Sequence, residues 1–97
     1  MRHWYLVCYD IRDPGRLRRV HAAMEGFGKA LQYSVFACDL TLREKVTMIA
    51  ALAKLIHHGE DRVMIVDVGP MEGRGPQSAE FLGQVPEDLG ERGPVVV

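Results

Sequence analysis

The sequence predicts one α+β domain with its elements in the order β-α-β-β-α-β over residues 3–68. Two stretches, beginning at Asp13 and at Thr41, carry apolar residues at the three- and four-residue spacing of a helix face, each behind a capping residue. Stretches around residues 3–10, 30–40 and 62–68 are rich in β-branched and aromatic residues in strand-like alternation. The chain has 97 residues, which leaves no room for a second domain of ordinary size, about 100–150 residues.

From His3 to Asp10, Trp4, Leu6 and Cys8 alternate with Tyr5, Val7 and Tyr9, so both faces of this strand are apolar and both need cover. Asp13-Pro14 opens the first helix as N-cap and first helical residue. Leu17, Val20, Met24 and Phe27 form its stripe, Arg16, Arg18 and Arg19 fall largely off that stripe, and Gly26 and Gly28 end the helix. Ala30 to Leu40 suits two short strands with a tight turn near Gln32–Ser34, or one long bent strand.

Thr41-Leu42-Arg43-Glu44 is a capping box for the second helix. Its expected core stripe is Val46, Ile49, Ala53 and Ile56, widened by Leu52 and Leu55. Arg62 to Val68 is the last strong strand. This order is the ferredoxin-like split βαβ arrangement, a βαββαβ sandwich with both helices on one face of the sheet. The first and last strands are apolar on their other face too, and a second copy of the chain, a homodimer, is the economical cover.

Residues 69–97 form a different segment, holding six of the ten glycines and four of the five prolines. It reads as an irregular Gly/Pro-rich C-terminal tail. Ala79–Leu82 and Pro94–Val97 keep apolar content, and one of them can add an edge strand to its own or the partner's sheet.

Hydrophobic residues make up 47% and charged residues 26%, which excludes a wholly disordered chain and a disulfide scaffold. No apolar run reaches the roughly 18 residues of a membrane span. The N-terminal apolar stretch meets Asp10 too soon for a secretory signal, so the expected compartment is cytoplasmic. Cys8 and Cys38 lie in apolar segments and read as buried thiols. There is no CxxC, no Cys/His zinc spacing and no HExxH.

The net charge of −1 hides an asymmetry: residues 1–30 carry six Arg/Lys against three Asp/Glu, and residues 31–97 six against ten. Arg12, Arg16, Arg18 and Arg19 form the basic cluster, a candidate phosphate-binding stripe.

Asp10 ends a strand and opens a loop, a position that suits a turn-forming Asp and equally one holding a hard cation. In a dimer built on the uncovered faces it approaches its symmetry mate, and two carboxylates that close require a cation or a shared proton. Asp13 reads as a helix cap, and Asp67 as a partner for a nearby base. Ser34 reads first as a hydrogen-bonding turn residue, and otherwise as a phosphate donor or a nucleophile with no base placed to activate it, while Phe36 is assigned to core or interface. Gly26-Phe27-Gly28 mimics the centre of an RNA-recognition motif. Its flanks, Glu25 and Lys29, are wrong, and it ends a helix rather than lying on a strand.

Tyr9-Asp10-Ile11, the basic helix start at Arg16–Arg19, the segment Gln32 to Leu40 and Glu60-Asp61-Arg62-Val63 together resemble the CRISPR-associated protein two family, the small subunit of the spacer-acquisition machinery. The resemblance covers about residues 4–68. It implies a ferredoxin-like homodimer and a metal-dependent endonuclease acting on single-stranded RNA or double-stranded DNA, with Mg²⁺ or Mn²⁺. It also implies a complex with the CRISPR integrase subunit. The metal-binding catalytic aspartate falls on Asp10, and nucleic-acid contacts on Arg16, Arg18, Arg19 and Ser34. Two departures stand out: Gly15 and Leu17 interrupt the basic run, and Ala37 occupies a position where the family often has Glu. A non-catalytic dimeric scaffold that bridges the integrase and holds duplex DNA is the alternative. A small-molecule sensor on the same fold is a further rival.

Overall fold

A computed structural model of the chain describes residues 1–70, 79–85 and 95–96. The order is β1 (Arg2–Asp10), α1 (Pro14–Glu25), β2 (Lys29–Gln32), β3 (Val35–Thr41), α2 (Leu42–Leu55) and β4 (Arg62–Pro70), followed by the short strands β5 (Glu80–Phe81) and β6 (Val95–Val96). The first four strands form one sheet in the order β2-β3-β1-β4, with every neighbouring pair antiparallel. This is the ferredoxin-like arrangement the sequence predicts.

Register and burial explain why the helices choose their face. Tyr5 lies opposite Cys38 and Val7 opposite Phe36 in the β1–β3 pair. Val7 lies opposite Ile65 and Tyr9 opposite Val63 in the β1–β4 pair. Tyr5, Val7, Tyr9, Phe36, Cys38 and Leu40 are buried, and Val20, Met24, Met48 and Leu52 descend onto them from the helices. Each buried side chain of this size stabilises the fold by about 1.5–3 kcal/mol.

The helix starts follow the sequence. Asp13 caps α1 by accepting from the Arg16 backbone N–H, with Pro14 at its start, and Thr41 and Glu44 form the reciprocal capping box of α2. Glycine is required at position 28, where a Cβ would collide with the Ala37 carbonyl and the Cys38 sulfur as the chain turns from α1 into β2.

Four expectations change in whole or in part. The core stripe of α2 is rotated: Met48 and Leu52 are buried, whereas Val46 is 59% and Ile49 42% exposed. The sheet decides this, because Met48 shares its buried ridge with Leu52 four residues on. Cys38 is buried, but Cys8 is only half-buried because it points to the face without helices. Among the described residues the tail strands do not extend the chain's own main sheet: β5 and β6 pair with each other in parallel, and the partner's sheet is not present in the single chain. β4 also runs two residues past its predicted end, to Pro70. No helix among the described residues is long and apolar enough to cross a membrane.

The second face of the sheet carries Trp4, Leu6 and Cys8 from β1, with Val66 opposite Leu6 and Met64 opposite Cys8. Met64 is 53% and Val66 40% exposed, so this apolar face is open in the single chain. Asp10 belongs to it by strand alternation.

Candidate functional site

Asp10 is the last residue of β1 and lies opposite Arg62 of β4 in the antiparallel register. It is exposed, and its carboxylate pairs with no side chain among the described residues. No group of three or more metal-ligating side chains occurs among those residues. At the end of β1, among the described residues, Asp10 is a carboxylate without a side-chain partner.

The loop after Asp10 is held from both ends. Ile11 is buried beside the core. The Arg12 backbone N–H donates to Asp61 Oδ1 at 2.9 Å. Asp61, in the loop before β4, also accepts from Arg16 Nε at 2.9 Å and Nη2 at 3.2 Å, and from the His57 backbone N–H at 2.7 Å. Its side chain is fully covered. These bonds, with Arg16 foremost, hold the Asp61 carboxyl well below the usual carboxylate range. Arg16 in turn is held above its ordinary value, first by Asp61 and then by Glu60, whose Oε1 lies 2.9 Å from Nη2.

Arg16, expected to contact phosphate, is already engaged by carboxylates within the fold. The N–H groups of Nε and Nη2 are taken by two carboxylates, which leaves only those of Nη1. Arg16 acts as a strut between the start of α1 and the loop before β4.

Arg18 and Arg19 are exposed. Their side chains run back towards the first turn of α1, with Arg19 Nη1 3.5 Å and Arg18 Nη2 4.0 Å from where a Cβ on Gly15 would stand. That direction is the ordinary tilt of helical side chains. The Asp13 carboxylate shares this place, with its Oδ2 3.1 Å from the same point, and interacts with Arg19.

Ser34 sits in the turn between β2 and β3 and is half-buried. Its carbonyl accepts from the Tyr9 backbone N–H at 3.0 Å, which brings the turn to the residue preceding Asp10. The Ser34 hydroxyl makes no hydrogen bond with any described residue. Phe36 is fully buried, 6.2 Å from the Tyr9 ring. Asp67 pairs with a base, as expected: His3 Nδ1 lies 2.8 Å from its Oδ1.

A group that the pattern reading passed over surrounds the same turn. The Tyr9 hydroxyl donates to the Tyr33 carbonyl at 2.8 Å, and His21 Nδ1 lies 2.9 Å from that carbonyl and 3.0 Å from the Tyr9 oxygen. A carbonyl only accepts, so Nδ1 carries the proton. The His21 and Tyr33 rings stack at 4.1 Å between centroids and 4° between planes. Burial pushes the Tyr9 hydroxyl up to about 12, so it stays a donor at neutral pH. No local spacing signals this group, because Tyr9, His21 and Tyr33 lie on separate elements; Asp61 was visible only within the Glu60–Val63 segment.

Comparison with known proteins places the chain in a family. The sequence pattern of the family described as CRISPR associated protein Cas2 matches residues 1–72. The chain is 46% identical over 77 residues to the CRISPR-associated endoribonuclease Cas2 of Geobacter sulfurreducens, covering 79% of this chain and 81% of that protein. It is 55% identical over 65 residues to the CRISPR-associated endoribonuclease Cas2 2 of Thermodesulfovibrio yellowstonii, covering 67% and 71%. The crystal structure of Streptococcus pyogenes Cas2 superposes with a TM-score of 0.69 at 30% identity, over 82% of this chain and 99% of that one. Fold, motif positions and sequence identity converge: the chain belongs to the CRISPR-associated Cas2 family.

Proposed function

We propose that the protein is a metal-dependent endonuclease of CRISPR spacer acquisition, working as a homodimer that binds nucleic-acid backbone and hydrolyses phosphodiesters of single-stranded RNA, double-stranded DNA or both. The observation that carries this reading is the position of Asp10: exposed, without a partner side chain among the described residues, and at the end of an apolar sheet face. A second copy laid on Leu6, Met64 and Val66 would cover that face and bring two Asp10 carboxylates towards one another. The endoribonuclease names of the relatives support the same class of reaction.

Asp10 from each protomer would hold a hydrated Mg²⁺ or Mn²⁺. Such a cation supplies a nucleophilic water near neutral pH and polarises a phosphoryl oxygen. The protein's own part is positioning. Arg18 and Arg19, at the start of α1, would bind phosphates, and the Arg16–Asp61–Glu60 strut fixes the loop that follows Asp10. Neither Ser34 nor Cys8 serves as a nucleophile: no described base contacts the Ser34 hydroxyl, and burial pushes the Cys8 thiol up. The CRISPR integrase subunit is the proposed protein partner.

The commitment of Arg16, and the absence of any group of three or more metal-ligating side chains among the described residues, favour one second reading, a dimeric scaffold that holds duplex DNA without cutting it. One experiment separates the two. Wild type and Asp10→Asn are incubated with labelled single-stranded RNA and duplex DNA across a titration of Mg²⁺ and Mn²⁺, with EDTA as blank, and binding is recorded beside cleavage. Metal-dependent cutting lost in the variant supports the nuclease. Binding without cutting in every metal supports the scaffold.

A further inference from the structure

We propose that the Tyr33 ring, seated on His21, is a stacking platform for an unpaired nucleobase whose strand continues to Arg18 and Arg19. The inference rests on the nucleic-acid reading above and names the form of nucleic acid this surface selects.

Tyr33 occupies a tight turn yet is 54% exposed. A large aromatic residue there is ordinarily free to swing, but this one is fixed. One face of its ring lies flat on His21, and its own carbonyl receives hydrogen bonds from Tyr9 and His21. His21 is held in turn by that carbonyl and by the edge of Phe36, at 5.3 Å between centroids. The ordering cost of a ligand-stacking ring is therefore met in the fold itself, which is what preorganisation contributes to affinity. With His21 on one face and half of the residue in solvent, the second face of Tyr33 remains for a flat ligand.

The charges nearby identify that ligand. Arg18 precedes His21 by three residues and so shares its side of α1. The tips of Arg18 and Arg19 gather at Gly15, which lies about 9 Å along the axis from His21. A flat aromatic surface at one end and two guanidinium groups at the other match a base and the phosphates of its own strand. Arg18 has no ion-pair partner among the described residues, while Arg19 interacts with the Asp13 carboxylate, whose Oδ2 lies 3.1 Å from the same point at Gly15. A base inside a duplex is stacked on its neighbours and presents no face, so the platform selects single strands, loops or frayed ends.

The test compares wild type, Tyr33→Leu and Tyr33→Phe. The probes are a single-stranded RNA, the same strand with abasic sites, and a duplex of equal length, each titrated at several salt concentrations. Tyr33→Leu leaves the carbonyl and its two bonds in place, and thermal melts of all three proteins verify the fold. Tyr33→Leu is expected to bind single-stranded RNA about 5- to 150-fold more weakly, the range one base–aromatic stack is worth. Its salt slope, its duplex affinity and its affinity for the abasic strand stay as in wild type, and Tyr33→Phe binds as wild type does. Equal single-strand affinity in wild type and Tyr33→Leu overturns the platform and leaves the nucleic-acid reading standing. Equal losses on all three probes overturn it as well, by assigning Tyr33 a structural role. A wild type that binds none of the probes at any salt concentration overturns the nucleic-acid reading and the platform with it.

Discussion

Arg16 and Asp61 meet in a two-pronged ion pair, Nε to Oδ2 at 2.9 Å and Nη2 to Oδ1 at 3.2 Å, which ties the first turn of α1 to the loop before β4. Asp61 also takes the backbone N–H of Arg12. The path of the chain just after Asp10 is thus set by a carboxylate from the far end of the domain. Asp61→Asn keeps the shape but loses the charge that binds both prongs. We expect a lower melting temperature and weaker cleavage, with Asp10 itself intact. A thermal melt and a cleavage assay on the same preparation check both.

The same pair sets an acid limit. The folded state holds the Asp61 carboxyl below its ordinary value. Its contribution is complete above the unfolded-state value, about 4, and is lost as pH falls below that. Urea denaturation between neutral pH and pH 2 is expected to show wild-type stability falling on the acid side, with a shallower fall in Asp61→Asn. Parallel curves for the two proteins would remove the pair from the acid limit.

Asp10→Asn removes the charge that holds the proposed cation. Cleavage is expected to fall by about 100-fold or more, in line with the several kcal/mol that metal charge stabilisation supplies. Affinity for single-stranded RNA should stay within about twofold, because Arg18 and Arg19 are untouched. Gel-shift and single-turnover assays, with EDTA reproducing the mutant on wild-type protein, measure the two separately.

Met64 reports on the open sheet face. It is 53% exposed in the single chain, so Met64→Asp costs the protomer little, within about 0.5 kcal/mol. Buried between two copies, the same charge would be unpaired and would break the association. Sedimentation velocity is expected to give a dimer for wild type and a monomer for Met64→Asp. Leu42→Asp, on the outer side of α2, serves as the control that remains dimeric.

The rotation of α2 is measurable by two truncations. Met48 is fully buried, and Met48→Ala is expected to cost about 2–5 kcal/mol. Val46 is 59% exposed, and Val46→Ala should stay within about 0.5 kcal/mol. Equal losses would restore the stripe that spacing alone suggests.

Much of this molecule is written locally. The alternation in Trp4–Tyr9, the Asp13-Pro14 start, the capping box at Thr41 and the turn before Val35 each depend on neighbours a few residues away. Residues so close in sequence constrain one another whatever the rest of the chain does, so element order and the position of Asp10 at a strand end were legible. The same locality exposed the basic cluster but could not say which of its members is free.

Tertiary structure decided the remainder. Val46 and Met48 are both apolar residues of one helix, and only the sheet beneath determines which of them is buried. Arg16 and Arg18 look alike in the sequence, and only the approach of the 57–61 loop commits one of them to Asp61. Tyr9, His21 and Tyr33 come from a strand, a helix and a turn, and no periodicity connects them. Periodicity and capping act over a few residues, so the sequence by itself determined the order of the elements and where both helices start. Pairing between distant groups depends on how those elements pack, so the partners of each charge and each ring were decided only when the fold closed.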